Sequence, residues 1–449
     1  MKKTAALQLL PLWCALAAPP APLPPIKFTE SRLENGLRVF IVEDHYAPVF
    51  SIAVSYNTGS RDERPGRTGF AHLFEHMMFK GSENVGAGEH FFLIFNNGGN
   101  MNGTTNADRT VYYETLPKNQ LDLALFLESD RMRSLEITQA NLDNQREAVK
   151  EERRIGIENR PYGRSYEKLT ELAFDNFAYK HTTIGSMEDL NAATVEDVKE
   201  FFRIYYAPNN AALALVGDLN TKETLEKVKK YFAGIPRQDP PKSVDLAEPA
   251  RTEERRATIE DKLARTTQIH IVWKLPPGGH VDIPAVQQLR AILVGGESSR
   301  LYQKLVKEKE VATSVFGGAE ERAGPSLFHL IINLRPGKEP AEVETLIDQE
   351  MARLHGEEPN EAEVNRARSM SRRSEVSSRE SSFNIAYRLT DYTVLYNDPN
   401  RINTQLAKQL GVSAADMQRV AKQYFRKENR VVVTTLPAAQ AAKPKQGGN

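Results

Sequence analysis

Two histidines separated by three residues, with a glutamate between them, form the segment His72-Leu-Phe-Glu75-His76. On a helix this i,i+4 spacing puts both imidazoles on one face, near enough to share a metal ion, with Glu75 beside them. With 9 histidines in 449 residues, the frame arises by chance only ~0.01 times in such a chain, so the pattern is specific. The plain alternative is a surface helix with two unrelated histidines. Phe70, Phe74 and Met77 argue against it, because they bury the opposite side and aim the polar trio together. A catalytic zinc takes three protein ligands and keeps a fourth position for water, so the pair is one ligand short. The helical pattern from Thr138 to Asn159 offers Glu147, Glu151 and Glu152, and geometry alone does not choose among them. Arg146, Arg153 and Arg154 would pair with those that face solvent.

These residues need elements to hold them. Leu37 to Val42 and Val49 to Tyr56 read as apolar strands, residues 59–69 as a polar loop, and Phe70 to Lys80 as a helix ended by Gly81 at C′. Gly98 to Gly103 reads as a turn, Thr110 to Thr115 as a strand, and Asn119 to about Leu135 as a helix. The helix from Thr138 stops at Pro161 and Gly163, and the strand Ala211 to Val216 closes the first half. Pro236, Pro240, Pro241 and Pro249 among charged residues have linker composition. Beyond them, strand Gln268 to Leu275, helix Ile283 to Val294, the pair Gly295-Gly296 and a helix from Ser299 repeat the earlier order of elements, though not its residues.

The length allows two large domains or three ordinary ones at roughly 150 residues each. With 40% hydrophobic and 26% charged residues and a mean hydropathy of −0.50, the chain has the composition of a soluble globular protein. Lys+Arg and Asp+Glu both number 59, so no global field is present to hold a nucleic acid or an anionic membrane surface. Lys2, Lys3 and the apolar run Ala5 to Ala18 read as a signal peptide cleaved near Ala17 or Ala18, which would remove Cys14, the single cysteine. The expected product is exported and periplasmic, with no membrane span in the mature chain. The expected boundaries are a signal at 1–17, a zinc-binding domain at 27–235, a linker at 236–258, a second domain at 259–436 and a disordered tail at 437–449.

Four stretches together resemble the inverted zinc peptidases that include pitrilysin, insulin-degrading enzyme and the mitochondrial processing peptidase. They are His72 to Gly81, Asn102 to Tyr112, Asn144 to Glu152 and Tyr206 to Ala211. The resemblance implies an α+β fold of two homologous mixed α/β-sandwich domains forming a half-clam, two such chains enclosing a peptide chamber. It implies one Zn²⁺ per chain held by His72, His76 and, at the family's spacing, Glu152. Glu75 would take a proton from the zinc-activated water and later give it to the leaving amine. It further implies that a peptide adds as a strand near Asn102 to Ala107, where Asn100, Asn102 and Thr105 could meet substrate or merely form a turn. His90 and His181 carry no spacing argument and read as ordinary polar residues.

One departure is informative. Self-sufficient relatives carry an arginine and, a few residues on, a tyrosine in the second domain. Here those positions read Val306 and Thr313, and Arg300 and Tyr302 lie out of register. A second glutamate that some members carry two helical turns before the ligand is replaced by Gln145. The expectation is therefore a related subunit supplying the missing pair as a heterodimer, or otherwise a homodimer. The leading functional reading is a zinc metallopeptidase of peptides or unfolded polypeptides. A non-catalytic structural or assembly subunit of the same family is the alternative, and a zinc-storing scaffold is a third.

Overall fold

The computed structural model describes residues 22–438. The expected signal segment, with Cys14 and its cleavage site, and residues 439–449 of the expected tail lie outside the described residues. Among the described residues no helix is long and apolar enough to cross a membrane.

Strands β1 (Thr29–Arg32), β2 (Arg38–Glu43) and β3 (Val49–Tyr56) precede the helix α1 (Phe70–Met77). A second helix, α2 (Glu89–Asn96), leads into β4 (Asn100–Thr105) and β5 (Thr110–Pro117). Then come α3 (Leu121–Ser134), α4 (Gln139–Arg153), α5 (Gly163–Ala173) and β6 (Ala211–Gly217). The second half holds β7 (Arg255–Asp261), β8 (Gln268–Pro277), the helix Ile283–Val294, β9 (Ala312–Glu320), β10 (Pro325–Leu334) and, last, β11 (Arg430–Pro437).

The strands form two sheets, in the orders β1-β2-β6-β3-β5-β4 and β7-β11-β8-β10-β9. Without β1, each strand of the first sheet has its counterpart at the same place in the second. The parallel pair recurs as well, as β2 with β6 and as β7 with β11. The repeat expected from element order is thus a repeat of topology, and the fold is α+β with two like domains.

Alternation along the strands explains how each sheet is covered. Phe50, Ile52, Val54 and Tyr56 of β3, with Leu213 and Leu215 of β6, enter the first core beside α1. The opposite face carries small residues, Ser51, Ala53, Ser55, Ala212 and Ala214, and so admits a helix closely. That helix is Ser382–Tyr396, from the second half. Ser51 Oγ lies 2.9 Å from Ser382 Oγ, and Ser55 donates to Thr390 Oγ1 at 2.8 Å. The loan is returned: Leu169 and Ala173 of α5 pack on Val272, Val431 and Val433 of the second sheet. Ser165 Oγ meets Thr435 Oγ1 at 2.6 Å. Each half therefore covers one face of the other's sheet.

Several expected boundaries move. Gly98 makes its turn at φ +77, but from Asn100 the chain pairs with β5, so the expected turn through Gly103 is an edge strand. Its residues are polar because an edge strand is held by backbone pairing more than by burial. Helix α1 ends at Met77, not beside Gly81, because Phe79 and Lys80 turn back onto His76 and Met77. The expected linker 236–258 runs into β7, and its irregular part ends at Glu254. The helix expected from Ser299 is present and continues as a π-helix over Tyr302–Glu308. Pro437, expected to open the tail, ends β11.

The helix exchange predicts that cutting the linker will not part the halves. Arg237 and Lys242 are exposed and open to trypsin. The nicked fragments should co-elute in gel filtration under native conditions and separate in denaturant. Separation without denaturant would show that the exchanged helices do not tie the halves together.

Candidate metal centre

Helix α1 turns Phe70, Ala71, Leu73, Phe74 and Met77 into the first core, which leaves His72 and His76 together on its other side. Their rings stand 4.7 Å apart, nearly perpendicular at 80°. The neighbouring helix α4 brings up Glu152. Its Oε2 lies 3.4 Å from His72 Nε2 and its Oε1 3.5 Å from His76 Nε2. Glu147 and Glu151 point elsewhere, bonded to Lys150 and Arg154 at 2.7 and 2.8 Å. Of the three glutamates, Glu152 is the one that helix packing brings beside the imidazoles.

Four tetrahedral ligands about 2.0–2.1 Å from a zinc ion stand about 3.3–3.4 Å apart. Each carboxylate oxygen lies at about that separation from one of the two rings, and one ligand-type atom from each of the three residues falls within 4.8 Å of the others. Burial first, and His76 second, hold His72 down to about 3, so its ring is neutral and its lone pair free for a metal. The residues present fit a zinc ion.

Glu75 is buried on the same helix with 8% of its surface exposed, and burial pushes its carboxyl up to about 7. The Thr105 hydroxyl, donating to Oε2 at 2.5 Å, and the Arg109 guanidinium pull in the other direction. Gly103 lets β4 come this close, because a Cβ there would stand 3.1 Å from the Glu75 side chain. Of the three residues expected to meet substrate, Thr105 is thus bonded to Glu75. Asn100 and Asn102 are exposed on the edge strand, and Asn102 Oδ1 accepts from the Gly103 N–H at 2.9 Å.

Sequence reasoning missed what holds the start of α1. Gly69 caps the helix without a side-chain acceptor, and the Glu63 carboxylate does that work from six residues upstream. It accepts from the N–H groups of Gly69 and Ala71 at 3.0 and 2.8 Å. His181, read as an ordinary polar residue, meets Glu63 Oε2 at 2.9 Å. Burial raises the Glu63 carboxyl against these bonds, while Glu63 holds His181 up against its own burial. The cue was the lack of a capping side chain before Phe70, but nothing local pointed to Glu63.

His90, the other histidine set aside, is buried at 2.6 Å from Glu114 Oε1, and Glu128 completes a compact group. Arg131 fills that group with its own cation, bonding Glu128 and lying 4.4 Å over the Tyr112 ring. Burial raises both carboxyls to about 7 and lowers His90 to about 3. With the guanidinium inside it, this is a closed ion cluster of the core.

In the second half, Val306 is buried in the core, and Thr313 is exposed with its hydroxyl donating to the Asn333 carbonyl at 3.1 Å. Arg300 is committed to Glu363 by two bonds of 2.6 and 2.7 Å. Tyr302 packs against the second core. Gln145 is buried and donates to Asn144 Oδ1 at 2.6 Å.

Residues 38–186 match the insulinase family, peptidase family M16, and residues 192–371 match the peptidase M16 inactive domain. Zinc protease PqqE of Helicobacter pylori is 30% identical over 409 residues, which cover 90% of this chain and 92% of that one. The chain belongs to the M16 peptidase family. The solved structure of a protease from Helicobacter pylori superposes with a TM-score of 0.88 at 30% identity, covering 92% of this chain and 99% of that one. The periplasmic protease PqqL from Escherichia coli shares the fold at 18% identity, with a TM-score of 0.75. It matches 93% of this chain but 48% of its own.

Replacing Glu63 by Ala should leave two buried N–H groups without an acceptor and cost about 2–3 kcal/mol of stability. Urea denaturation measures this, and a loss under about 0.5 kcal/mol would show that α1 does not depend on the remote cap.

Proposed function

We propose that this chain is a zinc metallopeptidase whose metal is held by His72, His76 and Glu152 and whose proton-transfer group is Glu75. The observation that carries this reading is the spacing of two imidazoles and a carboxylate on two packed helices, beside a buried carboxyl near neutrality. A zinc ion bound there supplies Lewis acidity, acidifying a water and polarising a carbonyl. Glu75 Oε2 is occupied by the Thr105 hydroxyl, which leaves Oε1 to accept a proton from the attacking water. The same oxygen can return that proton to a leaving amine. Edge strand β4 passes directly beside Glu75 and offers backbone groups on which an extended peptide can lie, with Asn100 and Asn102 exposed along it. Peptides and unfolded polypeptides are the substrates this seat fits.

The domains at 27–235 and from β7 onward would serve as catalytic and complementary units. PqqL is about twice as long as this chain, and Arg300 is bound to Glu363. Both support a second, related chain that brings arginine and tyrosine donors to the substrate carbonyl. The signal-like run from Lys2 to Ala18 supports export to the periplasm, as does the likeness to the periplasmic protease PqqL. A non-catalytic subunit is disfavoured by a complete ligand set and an intact Glu75.

Elemental analysis should find one zinc per chain and most of it lost in His76→Ala and Glu152→Ala; full occupancy in both variants would sink the ligand assignment. Glu75→Gln should retain zinc yet lose at least about 10²-fold in kcat on a mixed peptide library, since proton transfer is removed. Unchanged turnover would move the proton-transfer role to another residue.

A further inference from the structure

Edge strand β4 is held from both faces, by different halves of the chain. Met101, Gly103 and Thr105 face α1: Met101 joins the first core, Gly103 abuts Glu75, and Thr105 bonds Glu75 Oε2. Thr104 points the other way, toward a buried guanidinium. Arg109 Nη1 donates to both the Thr104 carbonyl and its hydroxyl, each at 2.9 Å. Arg109 Nε donates to Asp391 Oδ1 at 3.0 Å, and Nη2 donates to the Tyr387 hydroxyl. Asp391 and Tyr387 sit on the helix Ser382–Tyr396 that the second half lays across the first sheet. Four of the five N–H donors of Arg109 are thereby engaged, in a planar fork that a lysine ammonium does not reproduce.

We propose that Arg109, anchored by Tyr387 and Asp391, is a positioning residue that tethers β4 in place beside α1 and so fixes the Thr105 hydroxyl on Glu75. The path runs from the borrowed helix through Arg109 and Thr104 to Thr105 and ends at the carboxylate. The inference rests on the role given to Glu75 above. It adds that the orientation of this carboxylate is set by the second half of the same chain, whatever that half contributes to a partner's site. The guanidinium makes no hydrogen bond to Glu75 or to the imidazoles, and lysine keeps its charge, so Arg109→Lys should leave zinc in place and disturb the geometry of proton transfer.

The test compares Arg109→Lys, Tyr387→Phe, Thr105→Val and the double variant Arg109→Lys/Thr105→Val in the full mature chain. Each single change should lower kcat about tenfold on a peptide substrate, with zinc content and KM close to the parent. The double variant should be no slower than its slower parent, because both changes break one path. Losses that multiply in the double variant, or that track zinc content or melting temperature, would overturn the proposal. Hydrogen–deuterium exchange gives a readout that needs no activity: amides of residues 100–105 should exchange faster in Arg109→Lys and in the milder Tyr387→Phe. If the parent hydrolyses no peptide, the peptidase reading fails while this measurement still decides. Unchanged exchange along β4 would show that Arg109 does not hold the strand.

Discussion

Keeping Glu75 out of water beside two imidazoles is the constraint to which most of the first half answers. An unsolvated carboxylate is several kcal/mol unfavourable unless something close by replaces water. Here the replacements are few and aimed, a hydroxyl at 2.5 Å on one oxygen and a guanidinium field from beyond the strand. Burial still prevails, which leaves the carboxyl near pH 7, able to be charged or neutral. Such a balance is sensitive to tenths of an ångström, and the surrounding elements are correspondingly pinned. Helix α1 is anchored at its start by Glu63, and β4 approaches because Gly103 has no side chain.

The second half enters this arrangement as structure. Its exchanged helix covers the small-residue face of the first sheet, and polar contacts lock the join. Asp108 takes bonds from Arg61, from the Tyr179 hydroxyl at 2.6 Å and from the Ala323 N–H at 3.0 Å. Tyr179 in turn accepts from the Gly324 N–H at 2.9 Å. Buried groups satisfied by partners so far apart in sequence pair well only when both halves are folded, so the join adds specificity beyond the apolar contact.

Much of this was legible before any coordinates. The H-x-x-E-H frame, the apolar strands β3 and β6, and the helix Ile283–Val294 all follow from periodicity, because each buries a regular face. What stayed hidden lacks a local pattern. The strand β4 has no apolar alternation, since backbone pairing and a neighbouring carboxylate shape it. Helix α2 was missed because Phe91, Phe92 and Phe95 remain exposed, which blurs its amphipathic signal. The histidine pair's own geometry does not separate Glu152 from Glu147 and Glu151; only the family's spacing singles it out, and the packing of α4 on α1 brings that residue to the imidazoles. Glu63 caps α1 from outside the positions a capping motif uses, and His181 and Arg109 act through partners more than a hundred residues away, so no short-range rule reports on them.

The repeat sets unlike residues at like places in the two halves. In topology, β8 corresponds to β3 and the helix after it, Ile283–Val294, to α1. That helix carries no histidine, and Val286, Leu289, Ile292 and Leu293 fill the second core. No imidazole pair has to be desolvated there. The fold of the second half is still required, because it supplies the helix on which the first sheet closes and from which Arg109 is held. The second half has no histidine pair at this place, yet its helix Ser382–Tyr396 completes the first half's sheet, so neither half is structurally whole without the other.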